Sequence, residues 1–170
     1  MRSPTVDLLF TSVGGGPRLL IRRTVLDHVE RFRQKSFWSR EAGGQLFGRI
    51  GDDAWAIEQA TGPRRSDFRS RFSFRPNRRA EQQEIEERFT KGLHYMGDWH
   101  THPEPSPEPS PMDVESMQDM VTASRHELPG FIMMIIGTKV GPAGLWLSMH
   151  YLRGGWRRYS VESAPCEVGR

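Results

Sequence analysis

Two histidines spaced two apart, a proline-rich loop and an aspartate are the residues of this sequence best suited to chemistry. They fall in His100-Thr101-His102-Pro103, then six residues, then Ser110-Pro111-Met112-Asp113. On a β-strand, side chains two positions apart point the same way, so both imidazoles can meet one ion. The prolines between 103 and 109 turn the chain back, and Asp113, in the first turn of the next helix, can add a carboxylate oxygen. Two nitrogens and one oxygen suit Zn²⁺ and leave a fourth position for water, the arrangement of a catalytic site. A structural zinc normally has four protein ligands, and the single cysteine, Cys166, cannot supply a thiolate set. The parts also have plainer readings. His-x-His can be two polar residues on a solvated strand face. Ser110, Pro111 and Asp113 also make a good helix start, with serine as N-cap, proline at N1 and an acid at N3. That cap is compatible with the metal set, because one turn can orient both the hydroxyl and the carboxylate.

A zinc hydrolase needs a general base that is not itself a ligand. Glu41 is the best candidate. It heads Glu41-Ala42-Gly43-Gly44-Gln45-Leu46-Phe47-Gly48, where a helical pattern gives way to a buried, glycine-rich strand. The glycines would let backbone or substrate come close. The alternative is an exposed glutamate at a helix end with Gly43 as C-cap, and the local pattern does not separate the two.

Together these motifs, Glu41-x-x-Gly44-x-Leu46-x-Gly48 and His100-Thr101-His102-Pro103-x6-Ser110-x2-Asp113, resemble those of the JAMM (MPN-plus, JAB-domain) zinc isopeptidases. These enzymes remove ubiquitin or ubiquitin-like modifiers from proteins. The resemblance spans both motifs and the elements between them, roughly residues 5 to 161. It implies that His100, His102 and Asp113 bind one zinc ion. It also implies that Glu41 is the general acid/base and that Ser110 hydrogen-bonds the oxyanion. The implied partner is a ubiquitin-like modifier or a conjugated protein. The short length and Gly97-Asp98-Trp99-His100-Thr101-His102-Pro103 are most similar to the bacterial stand-alone JAB proteins. Those are encoded in antiphage operons (CBASS type) or in ubiquitin-like conjugation operons. Two alternatives share the motif: a non-catalytic MPN scaffold, which usually lacks a ligand, and a protease that processes a sulfur-carrier protein.

The elements that must hold these residues can be read from periodicity and turn residues. Val6 to Phe10 and Arg18 to Ile21 read as strands around Gly14-Gly15-Gly16-Pro17. A helical face follows with Val25, Val29 and Phe32. Strands are expected at Gly43 to Ile50, at Ala54 to Ala60 and, as a short end, at Phe72 to Phe74. Pro76-Asn77 opens a charged helix to about Thr90. Leu93 to Thr101 is the next strand, and Ser110 starts a helix running to about Glu127. Phe131 to Thr138, Leu145 to Leu152 and Trp156 to Val161 close the pattern. Interspersed strands and helices predict an α/β (α+β) domain with a central mixed sheet flanked by helices, and the resemblance implies the single-domain MPN/JAB fold over 1–161. From Glu162 onward a mobile tail is expected, carrying Cys166.

Composition narrows the classes further. The chain has 170 residues, Lys+Arg 24 against Asp+Glu 21, and a hydrophobic share of 36%, enough to close one core. The longest apolar run, Phe131 to Ile136, is far below the roughly 18 residues of a membrane span, and no leader-like segment is visible. With one cysteine, a cytoplasmic protein is the natural reading. Asp98 shares strand parity with the histidines, so it is either an acceptor for a ligand imidazole or a surface or helix-facing carboxylate. Trp99 points into the core, and His94 lies too far along the strand to share an ion. Seven arginines between Arg64 and Arg79 read as a solvated face or as a basic rim for an acidic partner. No nucleic-acid fold signature accompanies them. Glu104 and Glu108 read as exposed spacers.

Overall fold

The computed structural model describes residues 7–162. Its strands are β1 (Leu8–Thr11), β2 (Arg18–Ile21), β3 (Gly43–Ile50), β4 (Ala54–Ala60), β5 (Phe68–Arg69), β6 (Phe74–Arg75), β7 (His94–Thr101), β8 (Gly130–Ile136), β9 (Leu145–Tyr151), β10 (Trp156–Arg158) and β11 (Ser160–Val161). Its helices are α1 (Arg23–Glu30), α2 (Arg78–Phe89) and α3 (Pro111–Ala123). Nine strands form one sheet in the order β10-β9-β8-β7-β3-β4-β2-β1-β11, while β5 and β6 make a separate hairpin. The β2–β4 and β7–β8 pairs are parallel, and the remaining pairs are antiparallel. This is the mixed, helix-flanked sheet expected of the JAB/MPN fold.

The sheet curls almost shut. Arg158 ends one edge strand and Ser160 begins the strand at the other edge, with only Tyr159 between them. Three consecutive residues span at most about 7 Å, so the two edges must nearly meet. The last stretch, read from sequence as one strand over 156–161, is therefore two strands that close opposite ends of the sheet.

Strand β8 shows why the core forms where it does. All seven residues are buried, because both faces are covered. Ile132, Met134 and Ile136 pack with Val25, Leu26 and Val29 of α1 inside the curl. Phe131, Met133 and Ile135 pack on the other face with Met117 and Val121 of α3. Full burial of such side chains contributes about 1.5–3 kcal/mol each. None of the helices is long and apolar enough to cross a membrane.

Several boundaries differ from the periodicity. Helix α1 stops at Glu30, so Phe32 lies beyond it and residues 31–42 are irregular. Glu41 therefore does not sit at a helix end. Helix α3 stops at Ala123, four residues short of Glu127, with Ser124 already extended (φ −80°, ψ 148°). Glu162, expected in the tail, is tied down: its N–H donates to Leu9 O at 2.8 Å and Arg18 reaches its carboxylate at 3.2 Å. Val6, Cys166 and the rest of the expected tail lie outside the described residues.

Candidate active site

The end of β7 and the residue just beyond it present the two imidazoles. Gly43 pairs with His100 and Gly44 with Trp99, so β3 runs alongside the motif. The ladder continues past the strand end, with Thr101 N–H donating to Ala42 O and His102 N–H to Ile136 O, both at 2.9 Å. His100 and His102 share one side while Trp99 is buried on the other, where its Nε1 donates to Thr61 O at 2.8 Å.

Asp113 comes from the first turn of α3, which is built as a reciprocal cap. The Ser110 hydroxyl accepts from Asp113 N–H at 3.1 Å, and Ser110 N–H donates to Asp113 Oδ2 at 2.7 Å. The cap and the metal set, which the sequence offered as two readings of the same residues, coexist in one turn. The proline loop that delivers it rests on residues 137–139: Thr138 N–H donates to Glu104 O and Lys139 N–H to Pro105 O. A Cβ on Gly137 would come within 2.7 Å of both carbonyls, so only glycine fits there.

The three candidate ligands converge. His100 Nε2 and His102 Nε2 are 3.1 Å apart, His100 Nε2 lies 3.4 Å from Asp113 Oδ1, and His102 Nε2 lies 3.3 Å from Asp113 Oδ2. Among the described residues this is the one group of three or more metal-binding side chains whose donor atoms lie this close together. With bonds of roughly 2.0–2.1 Å, the donor atoms of a tetrahedral zinc stand about 3.3–3.4 Å apart, so these spacings suit such an ion. Glu104, read from sequence as a spacer, places Oε2 3.6 Å from the other ring nitrogen of His102.

Glu41 reaches the same cleft from 59 residues upstream of His100, a space of 460 Å³ also lined by His100, His102, Ser110 and Asp113. Extending the β3–β7 register by two residues sets Glu41 opposite His102. Its backbone is clamped by the β5–β6 hairpin: Glu41 N–H donates to Ser70 O at 2.7 Å, and Arg69 Nε donates to Glu41 O at 2.8 Å. The glycines beside it let protein segments come close. A Cβ on Gly43 would lie 2.6 Å from the Phe74 ring, and one on Gly44 would lie 1.8 Å from Thr61 O.

The electrostatics follow from this packing. Burial is the largest influence on Glu41 and raises its carboxyl pKa, against the pull of the two imidazoles. Burial also works to raise Asp113, but hydrogen bonds from His100 and His102, their charge and Ser110 N–H hold it well below the usual carboxylate range. For His102, burial lowers the pKa, yet the hydrogen bond to Asp113 and the surrounding carboxylates raise it overall.

Other residues separate into distinct roles. Asp98 makes no bond to an imidazole among the described residues. It faces the helices and accepts from Tyr95 O–H at 2.8 Å. That contact spans three residues because an extra residue at Met96 bulges β7 and reverses its alternation. Burial and the charge of Glu81 push Asp98 up to about 7. His94 packs on Phe89 and takes no part in the cluster. The arginine run is not one solvated face. Arg64 is largely buried, paired with Glu84 and bonded to Gln45 at 3.0 Å. Arg69 clamps Glu41, and Arg71 stacks 3.8 Å from the exposed Phe37 ring at the cleft rim. The arginine run gave Arg69 no individual role, and Gln34, which also ties the rim to the site, carried no sequence signal, because their partners are distant in sequence.

Comparison with known proteins agrees with this geometry. Residues 23–150 match the family described as prokaryotic homologs of the JAB domain. A protein of Escherichia coli (strain TW11681) named "CD-NTase/cGAS isopeptidase" is 30% identical over 124 residues, covering 71% of this chain and 77% of that protein. One of Enterobacter hormaechei subsp. hoffmannii (strain UCI 50) with the same name is 31% identical over 141 residues, covering 81% and 76%. A solution structure from Desulfitobacterium hafniense superposes with a TM-score of 0.57 at 18% identity, covering 84% of this chain and 88% of that one. At that identity the likeness concerns the fold alone.

Proposed function

Because the chain belongs to the prokaryotic JAB-domain family, we propose that it is a zinc-dependent isopeptidase that cleaves the bond after the C-terminus of a ubiquitin-like modifier or a conjugated protein. By the name its relatives carry, the conjugated protein is of the CD-NTase/cGAS kind, and the setting is bacterial antiphage defence in the cytoplasm. The observation that carries this reading is the convergence of His100, His102 and Asp113 in the cleft that Glu41 lines.

In this reading His100, His102 and Asp113 hold the ion. Zinc supplies Lewis acidity and lowers the pKa of water towards about 7. Glu41 takes the proton from the attacking water and passes it to the leaving lysine or α-amine. Its burial suits that exchange, because a raised carboxyl pKa lies closer to neutrality. The Ser110 hydroxyl accepts from Asp113 N–H, so its own proton remains free to donate to the oxyanion. Since all three ligand positions are filled, an inactive scaffold is the weaker reading.

The test uses a CD-NTase joined through its C-terminus to a lysine ε-amine of a second protein. The expected result is one zinc per chain, cleavage that a chelator stops and zinc restores, and a Glu41→Gln variant that keeps its zinc. Its turnover should fall about 10²–10⁴-fold, the usual contribution of a general acid/base. Full activity in Glu41→Gln would remove the base assignment.

A further inference from the structure

Behind the cleft, three buried groups form a hydrogen-bond relay that the reaction as described does not use. Gln34 lies in the irregular segment after α1 and is 4% exposed, while Thr101 and Ala42 are fully buried. The Gln34 amide works at both ends. Its Oε1 accepts from the Thr101 hydroxyl at 3.1 Å, and its Nε2 donates to Arg71 O at 2.9 Å and, more weakly, to Ser39 O at 3.5 Å. The Thr101 hydroxyl in turn accepts from Ala42 N–H at 3.0 Å. Thr101 stands between the two imidazole-bearing residues, Ala42 follows Glu41, and Arg71 belongs to the hairpin wall. One side chain therefore joins the histidine strand and the cleft rim, and through Thr101 it reaches the base-bearing segment.

The chemistry of the relay is selective. The hydroxyl at 101 must accept one bond and donate another, which a serine or threonine can do and a valine cannot. The side chain at 34 must accept at one end and donate at the other, which an amide does. A carboxylate keeps only the acceptor, and methionine keeps neither. In a dry site, removing one partner strands the remaining donors and acceptors, so the segments shift to find new ones.

We propose that Gln34 is a positioning residue, which acts through the Thr101 hydroxyl and the Arg71 carbonyl to hold Glu41 in register with His100 and His102. The proposal rests on the isopeptidase reading for its kinetic effect and on geometry alone for its structural effect. Displacement of about 1 Å at a reacting group can cost on the order of 10²-fold in rate. No relay atom is a proposed ligand atom or part of the Glu41 carboxylate, so the loss is expected in kcat.

The experiment uses the full, zinc-loaded chain and the CD-NTase–lysine conjugate. Gln34→Met is expected to lower kcat about 10- to 100-fold with KM and zinc stoichiometry unchanged. Thr101→Val should do the same, Thr101→Ser should restore activity, and the double variant Gln34→Met/Thr101→Val should lose no more than either single one. Independently of turnover, amide exchange measured by NMR at Ala42 should accelerate in Gln34→Met and Thr101→Val but not in Thr101→Ser. Unchanged kcat and unchanged Ala42 exchange in Gln34→Met would overturn the proposal, as would additive losses in the double variant. If the unaltered protein does not cleave the conjugate, the isopeptidase reading fails while the exchange data still decide the relay. Should Gln34→Met not fold, the Thr101→Val and Thr101→Ser pair carries the same decision.

Discussion

The two halves of the cleft are assembled by different means. The imidazole and aspartate side is built from regular elements within fourteen residues: a strand end, a proline loop and a capped helix start. The Glu41 side is an irregular segment held by backbone and side-chain bonds to a hairpin and to Gln34. The difference teaches that a metal set can be prepared locally by secondary structure, whereas the proposed base depends on long-range contacts for its place. Damage to the first half should therefore appear as lost metal. Damage to the second should appear as lost turnover with the metal retained.

The strongest way to break the comparison is at a ligand. His100→Ala should abolish stoichiometric zinc and reduce cleavage to background, both read by metal analysis and the conjugate assay. A zinc-loaded, active His100→Ala protein would make the local half irrelevant. Glu41→Gln, with its intact metal, is the complementary loss on the other side.

Ser110 tests where the halves meet. Ser110→Ala should lower kcat about 10²–10³-fold and cost about 1 kcal/mol through the lost cap. Ser110→Gly lacks the hydroxyl equally but costs only a few tenths of a kcal/mol as a cap. Equal kcat losses with unequal melting temperatures would separate oxyanion donation from helix capping. Recovery of kcat in Ser110→Gly would assign the effect to capping alone.

Acidification should strike the two halves separately. Ligand imidazoles must be neutral to bind metal. Because the His102 pKa is raised, its proton competes from above the ordinary imidazole value of about 6.5. Zinc affinity should therefore begin to weaken above that pH, measured by metal titration at a series of pH values. Asp113 has a lowered carboxyl pKa, so its contribution to stability is complete above the ordinary value of about 3.9 and is lost as pH falls through the lower folded value. Glu41 is raised, so an acid limb in kcat of the loaded enzyme should lie above the usual glutamate range. A limb at or below that range would mean that the charge of the bound ion outweighs burial at the base.

The smallest effects should come from the arginine run, and they should be uneven. Arg64→Ala strands the partly buried Glu84 and Gln45 groups and should cost about 1–3 kcal/mol in chemical denaturation. Arg79, exposed and without an ion pair among the described residues, should change stability by no more than about 0.5 kcal/mol when replaced by alanine. Equal effects at the two positions would return the cluster to a single solvated face.

Much of the local half was legible in sequence, because period-two alternation, a proline loop and a cap are written in neighbouring residues. His100, His102 and Asp113 needed little more than that to be brought together. The same rules failed wherever one residue was inserted or one helix stopped early. The bulge at Met96 reversed the parity between His94 and the motif histidines and put Tyr95 on the side of Asp98, and the end of α1 at Glu30 left Glu41 on an irregular segment. The final strand pattern split across two sheet edges because closure of the sheet is a property of all nine strands.

The chain's residues alone determined which groups are candidates for a metal and which family they resemble, since those depend on residue type and short spacing; Glu41 as the proposed base came from that resemblance, not from its local pattern. Tertiary structure decided that Glu41 lines one cleft with His100, His102 and Asp113, that Arg69 holds its backbone there, and that Arg64 is largely buried while Arg79 is exposed. Those outcomes rest on hydrogen bonds and burial between residues 19 to 67 positions apart, and such contacts leave no period in the sequence.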